Sequence, residues 1–101
     1  MNHLKLSGIV NSEPKIDITK TANPVVNLIL LDEYKENKNF INITAFKDNA
    51  VALKDKNVGD LVYIEGHIQQ EKWFSKELDR NISRIIVVAD RVNDAIPSER
   101  E

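Results

Sequence analysis

The feature that most constrains the fold of this chain is a hydrophobic pattern that repeats every two residues. In residues 40–46, the aliphatic side chains of Ile41, Ile43 and Ala45 alternate with a second set of aromatic and polar ones. Residues 61–68 show the same alternation. Because successive side chains of a strand point to opposite faces, both segments are predicted to be strands with one buried face. In the second segment the predicted buried set is Val62, Ile64 and Ile68.

Three further segments bring the predicted strands to five. Residues 25–31 and 82–88 are rich in β-branched and aliphatic residues, which is typical of strands covered on both faces. Residues 3–10 carry aliphatic side chains along one side. Polar, charged stretches at 34–39 and 75–81 are predicted to be hairpin loops between strands.

One short helix is predicted at residues 50–53, with Asp48 or Asn49 as its N-cap. It lies between the third and fourth predicted strands. Five strands with a helix in this place are the layout of the OB-fold, a small Greek-key barrel. The sequence therefore predicts an all-β, five-stranded OB-fold Greek-key barrel over residues 1–92, followed by a polar, flexible tail over residues 93–101.

Composition excludes several classes of protein. The 101 residues include no cysteine, so disulfides, thiolate metal sites and cysteine nucleophiles are excluded. No apolar run approaches the ~20 residues of a membrane span, so no membrane partner is predicted and the cytoplasm is the expected location. The net charge of −2 argues against nucleic acid as a partner, but residues 1–89 hold 12 basic and 12 acidic side chains, so the excess is confined to residues 90–101.

No catalytic constellation and no cofactor or metal site is predicted. The two histidines, His3 and His67, are far apart in the sequence and belong to no spaced pair of metal ligands. Glu65 and His67 share a predicted strand face, which leaves an acid–base couple as one interpretation. A solvated polar strand face is the favoured one.

The aromatic residues carry more information. Strict alternation places Phe40 and Phe46 on the polar side of their strand, and continued alternation along the fourth predicted strand brings Trp73 to its non-core face. Tyr34 begins the loop after the second predicted strand. Exposed rings on strands, with basic hairpins beside them, are suited to stacking unpaired bases. The lysines in the adjoining segments are Lys35, Lys38, Lys47, Lys72 and Lys76.

An alternative interpretation stays open for these four rings, since aromatic residues also pack under loops or in subunit interfaces. Packing or an interface is the favoured interpretation for Tyr63 and Phe74. The basic excess of the segments that hold the lysines is small, so charge alone would not distinguish them from an ordinary solvated surface.

Four segments, in the same order along the chain, resemble those of one known family. They are the start Met1-Asn2 with Leu6, Gly8, Val10, Glu13 and Pro14; residues 40–47; residues 58–68 followed by Lys72-Trp73; and residues 85–92. The family is that of the bacterial single-stranded DNA-binding proteins. The resemblance implies an OB-fold, a homotetramer, binding of single-stranded DNA without sequence preference, and no enzymatic activity. The family's stacking positions fall on Tyr34, Phe40, Phe46 and Trp73.

The chain also departs from the family's pattern. The family commonly has a basic residue at the position of Ile9, arginine or glutamine at that of His67, and a glycine near Asn23. It normally continues into a flexible tail whose acidic tip recruits replication and repair proteins. The sequence ends at Glu101 without such a tip, which we interpret as a tailless variant or a truncated chain, and this leaves replication or recombination proteins as open partners.

Three hypotheses about function follow. The favoured one is sequence-independent binding and protection of single-stranded DNA in replication, recombination or repair, by a homo-oligomer that is a tetramer by preference or a dimer. The four rings would stack on bases and the five lysines would contact phosphates. The second hypothesis is a primosome-type OB-fold interaction module that bridges replication proteins and binds single-stranded DNA weakly. The third is an enzyme or small-ligand binder that uses Glu65 and His67.

Overall fold

The computed structural model describes residues 1–93, which form six β-strands and one α-helix. In chain order these are β1 (Leu4–Val10), β2 (Lys15–Ile18), β3 (Pro24–Tyr34), β4 (Asn37–Phe46), α1 (Lys47–Lys54), β5 (Leu61–Ser75) and β6 (Arg80–Asn93). The predicted tail begins at Asn93, which is the last residue of β6, and residues 94–101 of that tail lie outside the described residues.

Five of the six strands close into a barrel. The strands are paired in the order β1-β5-β6-β4-β3-β2, and an additional pairing of β1 with β3 completes the ring. That closing ladder is short, because it pairs Ile9 with Leu31 and Val10 with Leu30 and is followed by hydrogen bonds of Asn11 and Ser12 with Ile29. The predicted five-stranded barrel is therefore confirmed. The short strand β2, which is not among the five predicted strands, pairs with the edge of β3.

The core confirms the alternation read from the sequence in β4. Ile43 and Ala45 are buried and Ile41 packs against the core from a half-buried position. In β3 the alternate residues are buried and those between them are half-buried, so one face is fully covered and the other only in part, whereas both were expected to be covered. Burial of each aliphatic side chain stabilises the folded state by roughly 1.5–3 kcal/mol relative to leaving it exposed. The core cluster consists of Val10, Val26, Leu28, Leu30, Ile43, Ala45, Ala50, Leu53, Val62, Ile64, Val87 and Ala89.

The β5–β6 hairpin extends well beyond the core. Its ladder continues without a break from His67–Val88 to Ser75–Arg80, so the predicted loop at 75–81 is reduced to a short turn. We call residues 68–85 of this hairpin the arm. Ile68 is 46% exposed and Ile85 is 57% exposed, because the arm leaves the part of the barrel that the core fills. The expected burial of Ile68 and of both faces of 82–85 is therefore wrong.

A bulge bends the base of the arm. The register between β5 and β6 shifts at Glu65/Gly66, and Asp90 is the extra residue, because Glu65 pairs with Arg91 and Gly66 with Ala89. A side chain at position 66 would overlap the carbonyl oxygen of Val88. Glycine is therefore required at this position, where the backbone of Val88 leaves no room for a side chain.

The predicted helix is present but begins differently. It runs from Lys47 to Lys54, with Phe46 as N-cap and no side-chain hydrogen bond at the cap. Asp48 and Asn49 lie inside the first turn, so the prediction that one of them caps the helix is wrong. The Asn49 side-chain amide instead donates to the carbonyl of Ala89 at 3.2 Å, which fixes the helix against β6. The buried residues of α1, Ala50 and Leu53, pack into the core.

Candidate nucleic-acid interface

The outer face of the barrel carries two exposed phenylalanines on one strand. Phe40 is 59% exposed and Phe46 is 41% exposed, and both alternate with the core residues of β4. Between them lie Asn42, which is half-buried, and Thr44, whose hydroxyl donates to Asn27 Oδ1 at 2.7 Å. An exposed aromatic ring loses the stabilisation that burial would give it, unless a ligand or partner covers it.

The strand register connects this face to Trp73. Thr44 is opposite Val88, and Val88 is opposite His67, so these three side chains share the outer face. Every second residue of β5 after His67 lies on the same face, and the third of these is Trp73. Trp73 is 45% exposed. Three aromatic side chains, on β4 and on the arm, thus lie on the same side of the sheet, with the buried Thr44 and Val88 between them. We call this side the aromatic face.

Tyr34 falls on the other side of its hairpin. The register of β3 and β4 is regular, with Tyr34 opposite Asn37 and Leu30 opposite Ile41, so Tyr34 alternates in phase with the core residues. It is 64% exposed because it lies at the end of the hairpin, beyond the core. The ammonium group of Lys35 lies 5.5 Å from the centroid of the Tyr34 ring. The structure therefore does not bring Tyr34 onto the aromatic face.

The five predicted lysines are all exposed but are not all on one side. Lys38 is two residues from Phe40 on β4 and so lies on the aromatic face. Lys72 is next to Trp73 on β5 and so points to the opposite side of the arm. Lys35 and Lys76 are in the two hairpin turns, and Lys47 begins α1 with a positive φ of 54°. The predicted loop at 34–39 is a two-residue turn, since β3 ends at Tyr34 and β4 begins at Asn37.

Sequence reasoning missed one residue of the aromatic face, Arg84. Its side-chain Nε lies 2.8 Å from Glu71 Oε1, and its Cζ lies 5.9 Å from the centroid of the Trp73 ring. Glu71 and Arg84 are directly opposite each other in the ladder. No signal in the sequence gives this pairing, because it depends on the length of the turn at the end of the arm.

The residues of the predicted acid–base couple have other neighbours. Glu65 Oε1 lies 3.8 Å from His3 Nε2, and His67 Nδ1 lies 2.9 Å from Asp90 Oδ2. Within residues 1–93 no group of three acidic or histidine side chains is arranged to hold a metal ion. Tyr63 is buried, in agreement with a packing role, whereas Phe74 is 55% exposed on the side of the arm away from Trp73.

Two concave parts of the described surface are open grooves beside Trp73. One of about 500 Å³ is lined by Glu71, Lys72, Trp73 and Arg84. A second, of about 470 Å³, is lined by residues from both sides of the arm: Lys72, Trp73, Phe74, Asn81, Ile82 and Ser83. Grooves of this kind leave aromatic rings accessible to a flat ligand. No helix within residues 1–93 is long and apolar enough to cross a membrane.

The closed barrel, with its single helix between β4 and β5 in the described residues, defines an OB-fold protein. The chain matches the model of the family described as the Single-strand binding protein family over residues 1–94, and it belongs to that family. This is a family of non-enzymatic proteins that bind single-stranded DNA.

Solved structures show the same fold. A deletion mutant of the single-stranded DNA binding protein from Thermus aquaticus superposes with a TM-score of 0.79 at 19% sequence identity. The match covers 97% of this chain and 42% of that chain, so this chain spans less than half the length of that neighbour. No curated protein sequence matches the chain with significance.

Proposed function

We propose that this protein binds single-stranded DNA without sequence preference and protects it during replication, recombination or repair. The observation that carries the proposal is the aromatic face, on which Phe40, Phe46 and Trp73 are exposed together. Every base has a flat face, so stacking on such rings is tolerant of sequence and is worth about 1–3 kcal/mol per base. The proposed location is the cytoplasm.

Lysines supply the phosphate contacts in this proposal. Lys38 lies on the aromatic face, Lys35 and Lys76 lie in hairpin turns, and Lys47 and Lys72 are exposed elsewhere on the chain. Tyr34 acts at the end of its hairpin, where it stacks on a base at the margin of the bound strand. Because residues 1–89 are neutral overall, binding relies more on stacking than on charge and has a shallow salt dependence.

The test uses the fluorescence of Trp73, the one tryptophan of the chain. Oligo-dT is added to the full chain at low and at high salt, and the emission is followed. Stacking on Trp73 is expected to quench the emission at low salt, with a modest loss of affinity as salt increases. Absence of quenching at low salt, together with no mobility shift of a labelled oligonucleotide, would contradict the proposal.

Assembly is a second part of the proposal. The family likeness supports a homo-oligomer, with a tetramer preferred to a dimer. Solution mass with and without an oligonucleotide of ~35 bases measures assembly and binding together. A monomer at micromolar concentration that stays monomeric on the oligonucleotide would contradict this part.

A primosome-type interaction module is the second candidate function. The exposure of Phe74 and Ile85, on the side of the arm away from Trp73, favours a protein contact there. A dimer that binds oligo-dT weakly and a replication enzyme tightly would identify this function in place of DNA protection.

A further inference from the structure

A glutamate, an arginine and the tryptophan form a cluster on the arm. Glu71 and Arg84 face each other across the β5–β6 ladder, and Trp73 is two residues further along the same face of β5. Arg84 Nε lies 2.8 Å from Glu71 Oε1 and its Cζ lies 5.9 Å from the ring centroid of Trp73. The arginine is therefore held on one side by a carboxylate and lies over the ring on the other.

This arrangement engages two groups that single-stranded DNA would contact, the guanidinium of Arg84 and the face of the Trp73 ring. A guanidinium binds phosphate through paired N–H groups, and Glu71 already takes the Nε–H of Arg84. The negative charge of Glu71 also offsets the positive charge that would otherwise release counterions on phosphate binding. In addition, the guanidinium lies over the Trp73 ring on which a base would stack.

The ion pair is weak enough to be displaced. The Glu71 side chain is 37% exposed and that of Arg84 is 46% exposed, so solvent screens their attraction. An exposed pair of this kind, joined by the Nε–Oε1 contact, stabilises a protein little. A DNA phosphate and a stacked base can together replace what Glu71 and the Trp73 ring offer to Arg84.

We propose that Glu71 holds Arg84 over Trp73 in the DNA-free protein, and that single-stranded DNA must release Arg84 from Glu71 in order to bind. Glu71 is thus an internal competitor of the DNA phosphate, and it sets the affinity and the salt dependence of the aromatic face. Once released, Arg84 contacts the phosphate and Trp73 receives the base. The proposal rests on the proposed function, because it describes the regulation of that same site.

The decisive variant is Glu71→Gln, which keeps the shape of the side chain and removes its charge. Affinity for oligo-dT at low salt is expected to rise about fivefold, the upper range for an exposed ion pair. The slope of log affinity against log salt is expected to steepen by about 0.7, which corresponds to one more phosphate contact with a single strand. An unchanged or weaker affinity would overturn the proposal, since Glu71 would then be neutral or would position Arg84 productively.

Two controls separate release of Arg84 from a general effect of charge. Glu77→Gln removes the same charge from the turn of the same arm and is expected to change affinity by less than about twofold. In the background of Arg84→Gln, the Glu71→Gln change is expected to produce no gain. A gain of equal size in that background, or with Glu77→Gln, would overturn the proposal by showing general repulsion between acidic side chains and DNA.

A measurement without DNA tests the resting arrangement itself. Acrylamide quenching of Trp73 in the full chain is expected to increase with Glu71→Gln and with Arg84→Gln, but not with Glu77→Gln. Equal quenching in all four proteins would show that Arg84 does not cover the ring and would overturn the proposal. If the wild-type chain fails to bind oligo-dT, the proposed function fails instead, and the quenching series still decides whether Glu71 holds Arg84 over Trp73.

Discussion

The side chain of Asn2 takes the place of a strand residue against Ile68. Its Nδ2 donates to the carbonyl of Ile68 at 2.7 Å, and its Oδ1 accepts from the Ile68 amide at 2.9 Å. The β1–β5 ladder ends at Leu4 opposite Gly66, and its register continued by two residues would place Asn2 opposite Ile68. One side-chain amide therefore provides both bonds of the next backbone pair, at the point where the arm begins.

Loss of this amide is expected to loosen the base of the arm. Asn2→Ala should lower the free energy of unfolding by about 1 kcal/mol, since two partly solvated hydrogen bonds are lost. Asn2→Asp keeps the acceptor and should have a smaller effect. Chemical denaturation measures the stability, and amide hydrogen exchange should be faster at Ile68. Asn81→Ala, at an exposed position on the arm, is the control, and equal losses in both variants would contradict this role of Asn2.

Neighbouring aromatic residues on the arm allow a matched test of stacking. Trp73→Ala is expected to weaken binding of oligo-dT by about 1–3 kcal/mol. Phe74→Ala removes a ring that is similarly exposed but lies on the opposite side of β5, so its effect should be small. Mobility shift with a labelled oligonucleotide measures both, because it does not depend on the tryptophan. Equal losses would show that DNA does not select the aromatic face.

A similar comparison separates the lysines. Lys38 shares the aromatic face, whereas Lys72 has the opposite phase to Trp73. Lys38→Gln is expected to reduce the salt slope of binding by about 0.7, and Lys72→Gln to reduce it less. The measurement is a titration with oligo-dT at four or more salt concentrations. A larger effect of Lys72 would mean that the phosphates run along the other side of the arm.

The close approach of strands at Gly66 makes this position sensitive. A methyl group at position 66 would overlap backbone atoms of Val88, which cannot move as a flexible side chain would. Gly66→Ala is expected to destabilise the fold by about 1–3 kcal/mol. Gly59→Ala is the comparison, because Gly59 has a positive φ of 102° but open space around it. The change at Gly66 should accelerate hydrogen exchange across β5 and β6 more than the change at Gly59, whose cost is the strain of its positive φ, and protection that is equal in both variants would contradict this account.

The sequence predicted the barrel and part of the aromatic face because alternation is a local property. Phe40 is next to Ile41 and Phe46 is next to Ala45, so both phenylalanines face away from the core. This alternation can be read from the sequence without knowing the partner strand. The phase of Trp73 could be followed along β5 in the same way, since the extra residue of the bulge, Asp90, lies in β6.

What the sequence did not predict depends on pairing between strands. The position of Tyr34 follows from a turn of two residues, whereas a longer loop was expected. Arg84 meets Glu71 only because the turn of the arm sets their register. The strand β2 was missed because its four residues are all exposed and it is ordered by pairing with β3. Each of these is a non-local property.

The short contact between β1 and β3 also bears on the order in which the protein folds. The hairpins β3–β4 and β5–β6 join neighbouring parts of the chain and can form first. Ring closure joins Ile9 to Leu31 and Val10 to Leu30, and hydrogen bonds of Asn11 and Ser12 with Ile29 extend it, so a short contact offsets its entropic cost. Closure therefore belongs late in folding, and substitutions at this contact should act on the rate of unfolding more than on the rate at which the hairpins appear.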